Sequence, residues 1–250
     1  MKQVRSRFRR GAAGCLAILL FAVSAAAVAG HGTRAWADDF AGVYNADGKD
    51  ATGKPYTGAV QIEKLPTLYA VLWKLKGNEA YKGIAIPMDD VLGAAYGPPD
   101  AHFGLVVYRI KGGTLDGVWA TSGDLKSELG RETLVGSPDL NGTYRIELGE
   151  NRDGLTNYSG QLRIQRRGDA YFVLWPTKVP SLGIGVRIDD KLVVAYGTNV
   201  QKLPGVVAYK RAANGTLSGI WTTVGVKKTG TDSVNIVIPD KVGTETLKRP

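Results

Sequence analysis

The body of this chain is written twice, and that constrains its fold more than any other feature. Gly83-Ile84, Asp89-Asp90-Val91-Leu92 and Ala95-Tyr96-Gly97 recur as Gly183-Ile184, Asp189-Asp190-Lys191-Leu192 and Ala195-Tyr196-Gly197. Upstream, Tyr69-Ala70-Val71-Leu72-Trp73 matches Tyr171-Phe172-Val173-Leu174-Trp175. Downstream, Gly113-Thr114-Leu115-Asp116-Gly117-Val118-Trp119 matches Gly215-Thr216-Leu217-Ser218-Gly219-Ile220-Trp221. The openings agree as well, Gly42-Val43-Tyr44 with Gly142-Thr143-Tyr144 and Tyr56-Thr57-Gly58 with Tyr158-Ser159-Gly160. Even the closing segments correspond, Glu132-Thr133-Leu134 with Glu245-Thr246-Leu247, after a longer loop in the second copy. A unit of roughly 100 residues is long enough to be a domain rather than one turn of a solenoid.

Within each copy the hydrophobic period is two, the period of a strand with one buried face. Tyr158, Gly160, Leu162 and Ile164 fall on one face, and Ser159, Gln161, Arg163 and Gln165 on the other. In the first copy, strands are expected near 41–46, 56–63, 68–75, 81–87, 91–96, 104–110, 115–121 and 129–135. Turn chemistry separates them at Asp89-Asp90, Pro98-Pro99-Asp100 and Gly112-Gly113, and in the second copy at Gly168-Asp169, Asp189-Asp190 and Asn214-Gly215. Eight short sequential antiparallel strands form a meander, and closure into a barrel removes its free edges. Gly58, Gly117, Gly160 and Gly219 fall mid-strand on the inward face, where bending at barrel corners needs them. The expected fold is therefore all-β: two tandem eight-stranded antiparallel meander barrels, lipocalin- or avidin-like in architecture. They would span residues 38–136 and 137–250, joined near 135–139. An eight-stranded sandwich is the alternative. Leu72, Val118, Phe172, Leu174 and Ile220 are apolar on the outward parity, which suggests that the barrels pack against each other there.

The N-terminus has the three parts of an export signal. Met1–Arg10 is basic, Cys15–Val28 is an uncharged apolar run, and Ala35-Trp36-Ala37 supplies a small-x-small cleavage pattern before Asp38. A signal peptide is thus expected over 1–37, and with it export to the periplasm, the cell surface or the medium. No stable membrane insertion is expected after cleavage. The net charge of +9 resembles a nucleic-acid signature, but six of the 32 basic residues lie within 1–37, which holds no acid. Setting these aside leaves 26 basic against 23 acidic residues, a balance that disfavours nucleic acid as a partner. Cleavage would also remove Cys15, the single cysteine, leaving neither disulfide nor thiol nucleophile.

Ten of the eleven tyrosines and four of the five tryptophans occupy matched repeat positions. The strand parity points Tyr44, Tyr69, Trp73, Tyr96 and Trp119 inward, with Tyr144, Tyr171, Trp175, Tyr196 and Trp221 as their counterparts. Tyr56, Tyr108, Tyr158 and Tyr209 share that parity. An eight-stranded barrel has an interior that side chains just fill or that holds one small ligand. This aromatic lining is therefore either packing or a binding surface. Asp89-Asp90 and Asp189-Asp190 read as hairpin turns rather than paired catalytic carboxylates, since adjacent strand residues face opposite ways. Arg167-Gly168-Asp169 spells a motif that resembles integrin ligands, at an expected hairpin tip where Gly-Asp is also ordinary turn chemistry. The sequence carries no phosphate-binding glycine loop, no Gly-x-Ser-x-Gly elbow and no His/Cys cluster with metal spacing. His102 has no counterpart in the second copy. No catalytic residue, metal or cofactor is expected.

The repeated pattern resembles that of a family of small exported bacterial proteins commonly labelled fibronectin-binding proteins. Its elements here are Gly-x-Tyr, Tyr-x-Gly-x-x-x-Ile, Tyr-x-Val-Leu-Trp, Asp-Asp-x-Leu, Ala-Tyr-Gly and Gly-Thr-Leu-x-Gly-x-Trp. The likeness covers 40–135 and 140–249, and it implies adhesion to an extracellular-matrix glycoprotein such as fibronectin. The expectation is thus a non-enzymatic binding protein with a macromolecular partner. The alternatives are a carrier that holds a small apolar or aromatic ligand in the barrel interior, an envelope protease inhibitor, or a weak carbohydrate hydrolase.

Overall fold

The computed structural model describes residues 39–77, 80–98, 100–228, 234–237 and 239–250; the expected signal peptide lies outside them. The period-two runs form strands close to where the alternation places them. In the first repeat these are β1 (Gly42–Lys49), β2 (Pro55–Lys64), β3 (Tyr69–Leu75), β4 (Ala80–Met88), β5 (Val91–Gly97), β6 (Gly104–Lys111), β7 (Thr114–Thr121) and β8 (Gly130–Val135). The second repeat gives β9 (Gly142–Glu150), β10 (Gly160–Arg167), β11 (Ala170–Trp175), β12 (Ser181–Ile188), β13 (Lys191–Gly197), β14 (Gly205–Arg211), β15 (Leu217–Thr222) and β18 (Gly243–Lys248). Its longer closing loop carries a separate hairpin, β16 (Gly225–Lys228) and β17 (Val234–Val237).

These strands close into two eight-stranded antiparallel barrels, but the barrels are not the repeats. One, the split barrel, joins β1–β5 to β14, β15 and β18; the other, the continuous barrel, takes β6–β13 in unbroken sequence. Each barrel draws five strands from one repeat and three from the other, so its limits differ from the expected units 38–136 and 137–250. The crossing occurs twice, between β5 and β6 and between β13 and β14, where a hairpin would otherwise have joined the fifth strand of a repeat to its own sixth. Instead β5 pairs with β14 and β13 with β6. The ladders are equivalent: Leu92 faces Tyr209, and Leu192 faces Tyr108. The two possible pairings of a fifth strand bury nearly the same side chains in the same register. The strand pattern therefore cannot distinguish them.

Between the barrels lies a third core. Ile84, Ile86, Ala95, Val206 and Ala208 of the split barrel meet Leu105, Val107, Ile184, Val186 and Val193 of the continuous one, all buried. Strands β4–β6 and β12–β14 are thus apolar on both faces, one toward their own barrel and one toward the other. Val118 and Ile220 pack against this interface as their outward parity suggested. Leu72, Phe172 and Leu174 are half-buried outside it, because β3 and β11 stand away from the seam. Charges fasten its edge. The Asp-Asp pairs do form hairpin turns, with Asp89 and Asp189 left-handed at φ 57° and 50°. Asp89 receives a bidentate contact from Arg109, at 2.6 and 2.9 Å, and lies 3.0 Å from the buried Lys191. Reciprocally, Lys210 pairs with Asp189. Arg109 and Lys191 hold the Asp89 carboxyl well below the usual carboxylate range.

Candidate ligand-binding interior

Both barrels contain the same buried constellation, and a glycine makes it possible. In the split barrel, Tyr209 on β14, Gly219 on β15 and Glu245 on β18 sit side by side across three paired strands. With no side chain at Gly219, the Tyr209 ring lies across that position; a Cβ there would stand 2.5 Å from its Cδ1. The Tyr209 hydroxyl thereby reaches over the middle strand and donates to Glu245 Oε2. From the opposite side Tyr56 donates to Oε1 at 3.1 Å, and the Trp73 indole N–H donates to the Tyr209 hydroxyl at 2.9 Å. In the continuous barrel Tyr108, Gly117 and Glu132 repeat the register. There Tyr108 donates to Oε1 and Tyr158 to Oε2 at 2.9 Å.

Glu132 and Glu245 are each only 5% exposed. Burial disfavours the ionised carboxylate and pushes both carboxyls up, while the tyrosine hydrogen bonds pull the other way. The same burial, together with the adjoining carboxylate, pushes the hydroxyls of Tyr56, Tyr108, Tyr158 and Tyr209 well above their ordinary value. All four remain protonated donors at neutral pH.

The expected site residues divide by depth. Tyr44 and Tyr69 belong to a closed end, where Tyr44 donates to the Phe40 carbonyl at 2.9 Å and Tyr69 to Asp39 at 3.0 Å. Desolvation, with Asp39 alongside, pushes Tyr69 up to about 12. Tyr144 and Tyr171 occupy the corresponding end of the continuous barrel, with Tyr144 donating to the Ser137 carbonyl. Phe40 and Leu140, both fully buried, plug these ends. These four tyrosines pack the core. Trp73, Tyr96 and Trp221 instead line a cavity of about 730 Å³ in the split barrel, with Tyr56, Tyr81, Tyr209 and Glu245. Lys54, Pro55 and Lys76 are exposed at its mouth. Two aromatic groups form its walls: Tyr96 against Trp73 and Tyr81, with centroids 5.7 and 5.5 Å apart, and Tyr56 against Trp221 at 6.0 Å. The indole N–H of Trp221 is buried near the Tyr56 hydroxyl without a well-aligned hydrogen bond. Trp119, Trp175 and Tyr196 stand at the matching level of the continuous barrel, with Trp175 and Tyr196 5.1 Å apart.

The residues missed by sequence reasoning are the two glutamates. Their signal was present: the Glu-Thr-Leu of both copies places a charged residue on the inward parity, where a charge survives only with partners. Arg167-Gly168-Asp169 forms the exposed tip joining β10 and β11, but it is not free on all sides. The Asp169 amide donates to the Asp240 carbonyl at 2.9 Å, and a Cβ on Gly168 would meet that oxygen at 2.0 Å. His102 lies in a smaller groove of about 410 Å³ with Phe103, Ser122 and Leu125. Among the described residues no group of three or more His, Cys, Asp or Glu side chains is arranged to hold a metal ion. No protein-family model, no curated protein and no solved structure matches the chain.

Proposed function

We propose that this protein binds a small organic molecule in the interior of its split barrel. One observation carries the reading: the cavity of about 730 Å³, lined by six aromatic side chains, with a few polar groups converging at its depth. Small-molecule sites are commonly concavities of about 300–1,000 Å³ with apolar and aromatic walls and sparse, placed polar groups. The closed end supplies rigidity, since Phe40, Tyr44 and Tyr69 are locked by packing and hydrogen bonds. Of the aromatics shared by the two repeats, Tyr44, Tyr69, Tyr144 and Tyr171 pack the closed ends, whereas Tyr56, Trp73, Tyr96, Tyr209 and Trp221 line the cavity. Tyr81 does not follow the duplication: its counterpart is Ser181, and it lines the cavity. Its presence supports a function specific to the split barrel.

Native mass spectrometry of protein purified gently from its source tests this. The expected result is an additional mass of a few hundred daltons that is lost on denaturation. It should be absent from a Leu75→Trp variant, in which a large ring narrows the cavity wall. A bare chain that also shows no tryptophan quenching with any member of a broad metabolite panel would overturn the reading.

A further inference from the structure

We infer that the cavity of the split barrel selects an organic cation, an amine or related nitrogen base, seated against Glu245 between the two aromatic groups. The inference rests on the small-molecule reading above and adds the chemical class. Glu245 is the acidic group at the depth of the cavity, and each of its oxygens receives one hydrogen bond from a tyrosine. A carboxylate offers about four lone-pair positions, so Tyr56 and Tyr209, even with the Trp73 indole N–H close by, leave acceptor capacity unused. Two neutral hydroxyls also leave the buried charge uncompensated. Lys54 and Lys76 are exposed at the mouth and act through water. Burial raises the Glu245 carboxyl, and none of the salt bridges found among the described residues involves it.

The walls suit the same ligand. Indole and phenol rings attract a cation through their quadrupoles, most strongly where water is excluded. Trp73, Tyr96 and Tyr81 on one side and Tyr56 and Trp221 on the other supply such rings around the Glu245 carboxylate, and Asp50 adds a second carboxylate to the lining. A neutral aromatic guest would find these walls but leave the acid unpaired. An anion would be repelled by it.

The test uses the full chain and three probes of similar shape: phenethylamine, 2-phenylethanol and phenylacetate, titrated at pH 7 with tryptophan fluorescence as readout. The expected order places the amine at least tenfold tighter than the alcohol, with the acid weakest. Glu245→Gln should erase the preference for the amine, and continued binding of 2-phenylethanol to this variant shows that the cavity persists. Glu132→Gln makes the same chemical change in the other barrel and should leave the preference intact. Tyr81→Ser should weaken the amine several-fold more than it weakens 2-phenylethanol, and this variant decides if Glu245→Gln fails to fold; equal weakening of the two would overturn the inference. Equal affinity for amine and alcohol, or a preference that survives Glu245→Gln, would overturn the cation inference and leave the small-molecule reading standing. Binding of none of the three probes overturns the inference. If the native protein also carries no ligand, the small-molecule reading falls with it.

Discussion

The interface between the barrels predicts an unusual response to adding one methyl group. Gly93 lies at the middle of β5, paired with Ala208 and buried at the seam. A Cβ built on it would stand 2.6 Å from Val107 Cγ2 and 2.8 and 3.0 Å from the two Cγ atoms of Val193. Its counterpart in the second repeat is Val193 itself, so the near-symmetric seam is keyed by one small and one large residue. In open space Gly93→Ala would stabilise the strand by about 0.5–1 kcal/mol, because alanine loses less backbone freedom. Overpacking a filled core costs about 1–3 kcal/mol, and the contacts below 3 Å place this site in that class. The net expectation is a loss of about 1–2 kcal/mol, or roughly 2–8 °C in Tm for a chain of this size. Val193→Ala removes two buried methyl-sized groups at about 0.8 kcal/mol each and leaves a cavity, so it should cost about 2 kcal/mol alone. In the double variant the new methyl enters the vacated space. Its loss should fall short of the sum by about 1–2 kcal/mol. Urea unfolding followed by tryptophan fluorescence, with m-values compared across the four proteins, measures this coupling. Additivity within about 0.5 kcal/mol, the behaviour of independent sites, would refute the packing described here. So would stabilisation by Gly93→Ala.

Tyr209→Phe should cost about 2–5 kcal/mol, since it strips the buried Glu245 of a hydrogen bond and leaves the buried Trp73 N–H without the Tyr209 hydroxyl as acceptor. Tyr108→Phe removes only the Glu132 bond and should cost less; equal losses in thermal melts would contradict the hydrogen-bond chain through Trp73. The buried glutamates predict a pH dependence of opposite sign to that of paired surface aspartates. Their carboxyls are raised by folding, so the stability they contribute is fully present below the ordinary carboxyl value of 4.5 and is lost as pH rises through the elevated folded value. The Tm of a Glu132→Gln/Glu245→Gln protein, measured relative to the parent, should therefore climb between pH 4 and pH 8, and a flat difference would count against charge burial. Gly168→Ala should destabilise the tip between β10 and β11, because φ is +57° and the added Cβ would strike the Asp240 carbonyl. Faster proteolysis near residue 240 reads the release of that contact, and an unchanged digestion pattern speaks against it.

Strand positions were legible because a half-buried strand declares itself by alternation. Both the inward set around Leu162 and Ile164 and the left-handed Asp89 and Asp189 turns stand where residue types place them. The aromatic interior was legible for the same reason. Its separation into packed ends and a cavity was not: Tyr44 and Tyr96 share a parity, and only depth along the barrel makes one a core residue and the other a wall. The glutamates were visible as residues but not as sites, since what gives them meaning is a tyrosine two strands away reaching across a glycine. Duplication hid the largest feature. Because both copies carry nearly the same fifth and sixth strands, Leu92 can face Tyr108 or Tyr209 with the same ladder and the same buried surface. The sequence alone determined strands, period, turns and the number of barrels, all of which follow from local geometry and alternation. Which strands close which barrel was decided only in three dimensions. Its determinants are the two crossing segments and the shared interface of Gly93, Val107 and Val193, contacts between residues that no local pattern connects.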